Sequence, residues 1–190
     1  NEAEDAGGTD GVAKYQPKYH VGGFAGSVLS GSERKNETVE YFSVDGTVRV
    51  NAKKRTFIDF GSVIGYANCD HVISEGIVSG AFGVRSDGYE KVNFCVIIGR
   101  TDAVESVRGI AFAGRVSESG TDAGSIGFTG GADGAFVKCY ARDNCGTSAV
   151  GAEYVPEEVF LSEAFYSDTL GWKGSRWRLA DGRLPTLETG

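Results

Sequence analysis

The sequence predicts an all-β protein: a short right-handed parallel β-solenoid of about four or five coils, with glycine-rich corners and a C-terminal cap. Three observations predict it. First, a short apolar phrase closed by glycine recurs as VGGFAG, FGSVIG, FCVIIG and, more loosely, SIGFTG, with closing glycines Gly26, Gly65, Gly99 and Gly130. Recurrence at intervals of roughly 30–40 residues marks stacked or arrayed units. Second, the phrases are short, rich in Val, Ile and Phe, and bounded by Gly, Ser, Asp or Asn, which is a strand signature. Between Tyr19 and Tyr154 no segment sustains the i, i+3, i+4, i+7 spacing of an amphipathic helix over three turns. Third, 29 glycines stand against only 3 prolines with no collagen-like period, as expected of many tight turns between short strands. The same composition permits antiparallel hairpins in a β-sandwich; the period favours the solenoid.

Taken in order, residues 1–18 are a polar, glycine-rich, irregular lead-in. GGTDG at 7–11 and GGADG at 130–134 read as turns, because a calcium-binding reading needs a tandem series. The repeat region follows over 19–154, and its fullest statement is FIDFGSVIGYANCDHVISEGIVSG, residues 57–80. Its second phrase, around Gly76, has relatives around Gly46 and Gly114, and Val137 to Asp143 echoes it with Ala141 at the glycine position. The gap from first-phrase to second-phrase glycine is longest in unit one (Gly26 to Gly46), shortest in unit two (Gly65 to Gly76) and intermediate in unit three (Gly99 to Gly114). Units one and three are therefore expected to carry insertions at one phase, Ser30 to Thr38 and about Thr101 to Ser106, projecting as loops from one face. Three strands of about five residues with connections of about four give roughly 28 residues per coil. Val48 to Val50 and Ala81 to Val84 are candidates for the third strand. Corner glycines have a physical reason, since sharp corners need positive φ or close backbone approach.

The character changes at PEEVFLSE (156–163), where proline followed by two acids suits the first turn of a short helix. Both tryptophans, Trp172 and Trp177, lie in the tail 155–190 with Leu170, Gly171, Leu184 and Pro185, and are expected to plug the open end of the stack.

Composition narrows the function. A net charge of −7 and a pI near 4.9 leave no basic stripe for phosphate, so no nucleic-acid partner is expected; Lys53, Lys54 and Arg55 make only a solvated turn. No apolar run nears the ~20 residues of a membrane helix, so no membrane insertion is expected, and no signal peptide is read. The absence of methionine points to a processed protein or an excised segment. Cys69, Cys95, Cys139 and Cys145 form no CxxC pattern, and His20 and His71 are not spaced beside them as ligands, so neither metal nor cofactor is expected. Cys139 with Cys145, or Cys69 with Cys95, are within reach of a bridge; free buried thiols are the equal alternative.

The phrases VGGFAGSV, FGSVIGYANCDHVISEGIVSG and GIAFAGRVSESG resemble the GLUG repeat, and FYSDTLGWKGSRWRLADGRLPTL resembles the tail that closes arrays of those repeats. Together they cover about residues 20–187, the tail being the more specific. The resemblance implies a cell-surface β-solenoid segment of a longer bacterial protein, of the kind found in adhesins and in the non-catalytic part of immunoglobulin A metalloproteases. The fourth unit departs from the pattern at Ser125, and the cysteines are foreign to it. HExxH is absent, so no protease activity carries over, and LPTLE at 184–188 is not a sortase signal.

Glycosidic chemistry needs two carboxyls about 5–10 Å apart. Asp59 and Asp70 flank the best-formed phrase, and Glu75 and Asp45 are matched in successive units; turn formation is the simpler role for each. No GxSxG elbow occurs, and Cys69 with His71 on one strand face is read as accidental. Asn36-Glu37-Thr38 formally matches a glycosylation acceptor. Tyr15, Tyr19, Tyr41, Tyr66 and Tyr89 stack on sugars only if exposed, and are otherwise half-buried at strand edges. The expected function is a non-catalytic module of a bacterial surface or secreted protein, adhesive or spacing, with a host glycan or glycoprotein as partner. A polysaccharide-active lyase or glycoside hydrolase of solenoid type is the alternative.

Overall fold

The computed structural model describes residues 18–29, 37–52, 57–68, 71–86, 91–101, 106–119, 135–146 and 151–188. The lead-in before Lys18, the phrase closing at Gly130, and Tyr15, Cys69, Asp70 and Tyr89 lie outside them.

The protein is all-β, and its sheets are built from successive sequence units. The first unit supplies β1 (Lys18–Gly22), β2 (Ala25–Val28), β3 (Glu37–Val44) and β4 (Thr47–Ala52). The second supplies β5 (Phe57–Gly61), β6 (Ile64–Ala67), β7 (His71–Val78) and β8 (Ala81–Ser86). The third supplies β9 (Lys91–Cys95), β10 (Ile98–Thr101), β11 (Ser106–Phe112) and β12 (Arg115–Ser119). β13 (Ala135–Arg142) and β14 (Glu153–Val155) follow, then β15 (Trp177–Arg178) and β16 (Thr186–Leu187). Equivalent strands pair in parallel into four sheets: β1-β5-β9, β2-β6-β10, β3-β7-β11-β13-β14 and β4-β8-β12. Among the described residues only β15 and β16 pair antiparallel, so the hairpins of a sandwich do not describe these sheets. Each unit thus carries four strands, not three. The first phrase is long enough to be split by a short corner, Ser62-Val63, whose amides donate to the Val96 and Ile97 carbonyls of the next unit.

The register corrects the alignment of the units. Units two and three keep one constant step in every sheet, for example Ile64 to Ile98, Val72 to Ser106 and Ala81 to Arg115. Units one and two take that same step in the third and fourth sheets (Thr38 to Val72) but a longer one in the first two (Tyr19 to Ile58). The surplus therefore lies between β2 and β3, where the first insertion was expected. Unit three has no insertion around Thr101 to Ser106. That expectation came from matching Gly76 with Gly46 and Gly114, whereas Gly76 pairs with Phe42 and Ile110. The corner column is Gly46, Gly80 and Gly114: the amides of Ala81 and Arg115 donate to the Gly46 and Gly80 carbonyls. Ala141 likewise pairs with Phe112 and not with a glycine.

The core lies between the sheets and is built from Phe42, Ile58, Phe60, Val63, Ile64, Ile73, Phe82, Ile98, Val107, Ile110 and Phe112, all buried. Each such side chain contributes about 1.5–3 kcal/mol on removal from water. Glycine serves this core in two ways. A Cβ on Gly76 would fall 2.0 Å from Cζ of Phe42, so glycine in one unit leaves room for the ring of the unit beside it. A Cβ on Gly65 would fall 2.4 Å from the Val21 amide nitrogen, and one on Gly99 2.4 Å from that of Phe60. There the backbones of the first and second sheets approach too closely for any side chain.

The tail does not plug an end of the stack; it packs along the flank of the third sheet. A 3-10 helix at Glu157–Leu161 follows Pro156, a π-helical turn spans Phe165–Leu170, and Gly171 ends that turn at φ 79°. Phe160, Phe165, Tyr166, Leu170, Trp172 and Trp177 bury against Ile77 and Ala111, with Tyr140, Leu184 and Leu187 packed on the same cluster. Ile77, Ala111 and Tyr140 are register partners on β7, β11 and β13. Their side chains are the third sheet's second, outward apolar row, which gives the tail a place to dock along the flank.

Candidate functional site

The site with the most distinctive geometry is the seam between this tail and the third sheet. Tyr41, Glu75, Gly109 and Lys138 occupy one register position on β3, β7, β11 and β13, and all four adopt the left-handed region, with φ of 53°, 51°, 62° and 53°. Ladder pairing skips that position: Glu40 pairs with Ser74 and Phe42 with Gly76, but Tyr41 and Glu75 are passed over. Each strand therefore bends once, at the same point, and the bends stack into a column. A left-handed residue other than glycine costs roughly 1–2 kcal/mol, so three of the four are held there by their surroundings.

The tail crosses this column nearly one residue per strand. Gly171 lies by Lys138, a Cβ on it falling 3.9 Å from the Lys138 ammonium nitrogen. Nε1 of Trp172 donates to the Gly109 carbonyl at 3.1 Å. Lys173 acts electrostatically on Glu75, and the Arg176 guanidinium sits 5.3 Å over the Tyr41 ring. Beneath this crossing is a chain of aromatic contacts. Tyr140 meets Phe165 edge-on at 5.2 Å, Tyr166 lies 5.0 Å from Trp172, and Trp172 stacks on Trp177 at 4.4 Å and 20°. Such pairs add about 0.5–1.5 kcal/mol beyond area burial. The Tyr166 hydroxyl donates to the Phe160 carbonyl at 2.8 Å, and burial pushes its pKa up.

Glu75 is the weak point of the seam. Its Oε2 is buried without a hydrogen-bond partner. Its pKa is raised, first by burial and then by the Glu40 carboxylate on the neighbouring strand, with Lys173 opposing. The Glu40 carboxylate itself accepts a long hydrogen bond, 3.4 Å, from Ser74 Oγ.

The structure scatters the other sequence candidates. Gly26, Gly65 and Gly99 share one column of the second sheet, Gly46 and Gly114 sit at the corners between the third and fourth sheets, and Gly76 lies under Phe42. Leu170, Trp172, Trp177 and Pro185 are buried in the tail, with Leu184 half-buried beside them. Asp45 and Glu75 are not equivalent: the counterpart of Asp45 in the next unit is Ser79, whose hydroxyl donates to it at 2.9 Å. Asp59 is 1% exposed in the first sheet, with Oδ2 3.1 Å from Nδ1 of His20. These three carboxylates occupy three different places. Cys139 is a free, buried thiol, which removes the Cys139–Cys145 bridge considered from spacing; Cys95 and Cys145 are buried as well, and Cys69 lies outside the described residues. The Cys139 thiol donates to the Val107 carbonyl at 3.4 Å, and burial pushes its pKa up to about 11. Tyr66 carries the His20 ring stacked at 4.8 Å and the Arg100 guanidinium at 5.5 Å, so its faces are not a bare sugar platform. Tyr19 is 53% exposed.

Two features were missed from sequence. Gly80 is recoverable, since Gly46, Gly80 and Gly114 recur at one constant spacing. The bend column leaves no signal, because Tyr, Glu, Gly and Lys have nothing in common but their backbone angles. Among the described residues no three His, Cys, Asp or Glu side chains gather as metal ligands, and no helix is long and apolar enough to cross a membrane. No family model, curated protein or solved structure matches the chain.

Proposed function

We propose that the chain is a short right-handed parallel β-solenoid serving as a rigid, non-catalytic spacer within a longer bacterial surface or secreted protein. The observation that carries this reading is the constant register step shared by all four parallel sheets between the second and third units. Parallel strands at about 4.8 Å give roughly 19 Å of stiff length across the five strands of the third sheet. The resemblance to GLUG repeats supports the extracellular setting and the multidomain parent. The carboxylates considered for catalysis support a structural role where they are described: Asp45 is bonded to Ser79, Asp59 is buried beside His20, and Glu75 lies in the tail seam.

A ligand-binding reading is favoured by one observation. Tyr19 and Phe24, both in the first unit, are 53% and 64% exposed, and exposed aromatic rings are what a host glycan stacks on. The test is the purified chain on a glycan and host-glycoprotein array, with reducing-end release measured on a matched polysaccharide panel. The spacer reading expects silence in both. Binding abolished by Tyr19→Ala or Phe24→Ala moves the assignment to an adhesin, and release of reducing ends overturns both in favour of the polysaccharide-active enzyme.

A further inference from the structure

We propose that the C-terminal tail is an acid-tightened latch: it clamps the bend column of the third sheet more firmly at mildly acidic pH than at neutral pH, and Glu75 is the group that sets this. The inference stands apart from the proposed function.

The geometry is specific to one residue. The tail crosses the column at Lys138, Gly109, Glu75 and Tyr41, and three of these crossings are satisfied by a glycine contact, a hydrogen bond and a cation-π contact. The fourth encloses a carboxylate oxygen that has no hydrogen-bond donor. A buried ionised carboxylate without a donor is costly, whereas its protonated form is not. Opening the tail returns Glu75 to water and removes the cost. The charged groups around it come from each packed element. Glu40 on β3 opposes its ionisation, and Lys173 on the tail favours it. Arg108 precedes Gly109 on β11, Lys138 holds the next place in the column on β13, and Arg176 of the tail covers Tyr41. Burial and Glu40 outweigh Lys173, so the closed state holds the proton more tightly than the open one.

The sign follows. A carboxyl with a higher pKa in the closed state stabilises closure below its ordinary value, and that contribution is lost as pH rises through the closed-state pKa. The window therefore begins near the ordinary glutamate value of about 4.3 and extends upward from it. One proton changes the opening constant by at most about tenfold per pH unit within it.

Both tryptophans of the chain, Trp172 and Trp177, lie in the latch, so tryptophan-selective fluorescence reads it alone while far-ultraviolet circular dichroism reads the sheets. The experiment is acrylamide quenching of the whole chain between about pH 4 and pH 7.5, with dichroism recorded in parallel. Wild type is expected to become more quenchable as pH rises, with dichroism unchanged, and Glu75→Gln to stay weakly quenched throughout. Glu40→Gln is expected to move the wild-type midpoint to lower pH and Lys173→Met to move it higher. A flat wild-type profile, or the same slope in Glu75→Gln, overturns the proposal. Should Glu75→Gln not fold, unmoved midpoints in the other two variants overturn it as well.

Discussion

Replacing Gly65 with alanine tests whether main-chain approach between the first two sheets, and not turn-making, is why glycine recurs in the leading phrase. Gly65 and Gly26 occupy the same column, since their neighbours Ala25 and Ile64, and Ser27 and Tyr66, are register partners. A Cβ on Gly65 would lie 2.4 Å from the Val21 nitrogen, 2.6 Å from the Gly26 oxygen and 2.8 Å from the His20 carbonyl carbon. All three are backbone atoms, so no rotamer change relieves the clash. Overpacking costs about 1–3 kcal/mol where side chains can adjust. With none able to, and with corner hydrogen bonds tying the sheets together, Gly65→Ala is expected to cost about 3–4 kcal/mol, at or above the top of that range. At about 2–4 °C per kcal/mol for a chain of this size, the melting temperature falls by about 6–16 °C. Gly26→Ala is the control: its Cβ meets only the His20 carbonyl, with the oxygen at 3.1 Å, and the expected cost is about 1 kcal/mol or less. Thermal melts and urea titrations followed by circular dichroism measure both. Equal losses in the two variants would refute the close-approach argument and leave the glycines as turn residues.

Trp172→Ala removes the stack on Trp177 and the hydrogen bond to Gly109, and is expected to cost about 3–5 kcal/mol in urea unfolding; Trp172→Phe recovers part of it, and a neutral alanine variant would mean the tail does not clasp the sheet. Lys138→Gly is expected to stabilise by up to about 1 kcal/mol, because an exposed lysine at φ 53° gives up left-handed strain; a loss of stability would show that the Lys138 side chain holds the seam. Cys139, its thiol pushed up to about 11, is expected to resist iodoacetamide at about pH 8 in the native protein and to react on unfolding, as read by mass spectrometry.

Much of the architecture was legible in local chemistry. Short β-branched phrases between glycines marked the strands, and one strand per sheet per unit follows from the repeat. The insertion after β2 was visible as excess length. The errors came where one glycine looked like another. Gly76 and Gly114 read alike in sequence, but Gly76 makes room for the Phe42 ring while Gly114 turns a corner against the Gly80 carbonyl oxygen, 3.2 Å from its Cβ position. The pairing of Asp45 with Glu75 failed for the same reason, since a wrong glycine match shifts every residue around it. The tail was recognisable as an aromatic cover; its docking place was not, because that depends on the outward row of Ile77, Ala111 and Tyr140, which the core-facing pattern hides.

The sequence by itself determined strand class, unit length and the need for glycine, because these depend on steric and hydrophobic preferences of a few adjacent residues. Tertiary structure alone decided which glycine meets backbone, which meets a ring, and which residues are driven into the left-handed bend. That column holds Tyr41, Glu75, Gly109 and Lys138 by position and not by type. Their shared conformation arises from stacking in register, and the carboxylate oxygen of Glu75 is left buried without a hydrogen-bond partner beside the tail. Both depend on contacts between residues in different units or between a unit and the tail, far apart along the chain, which no local pattern records.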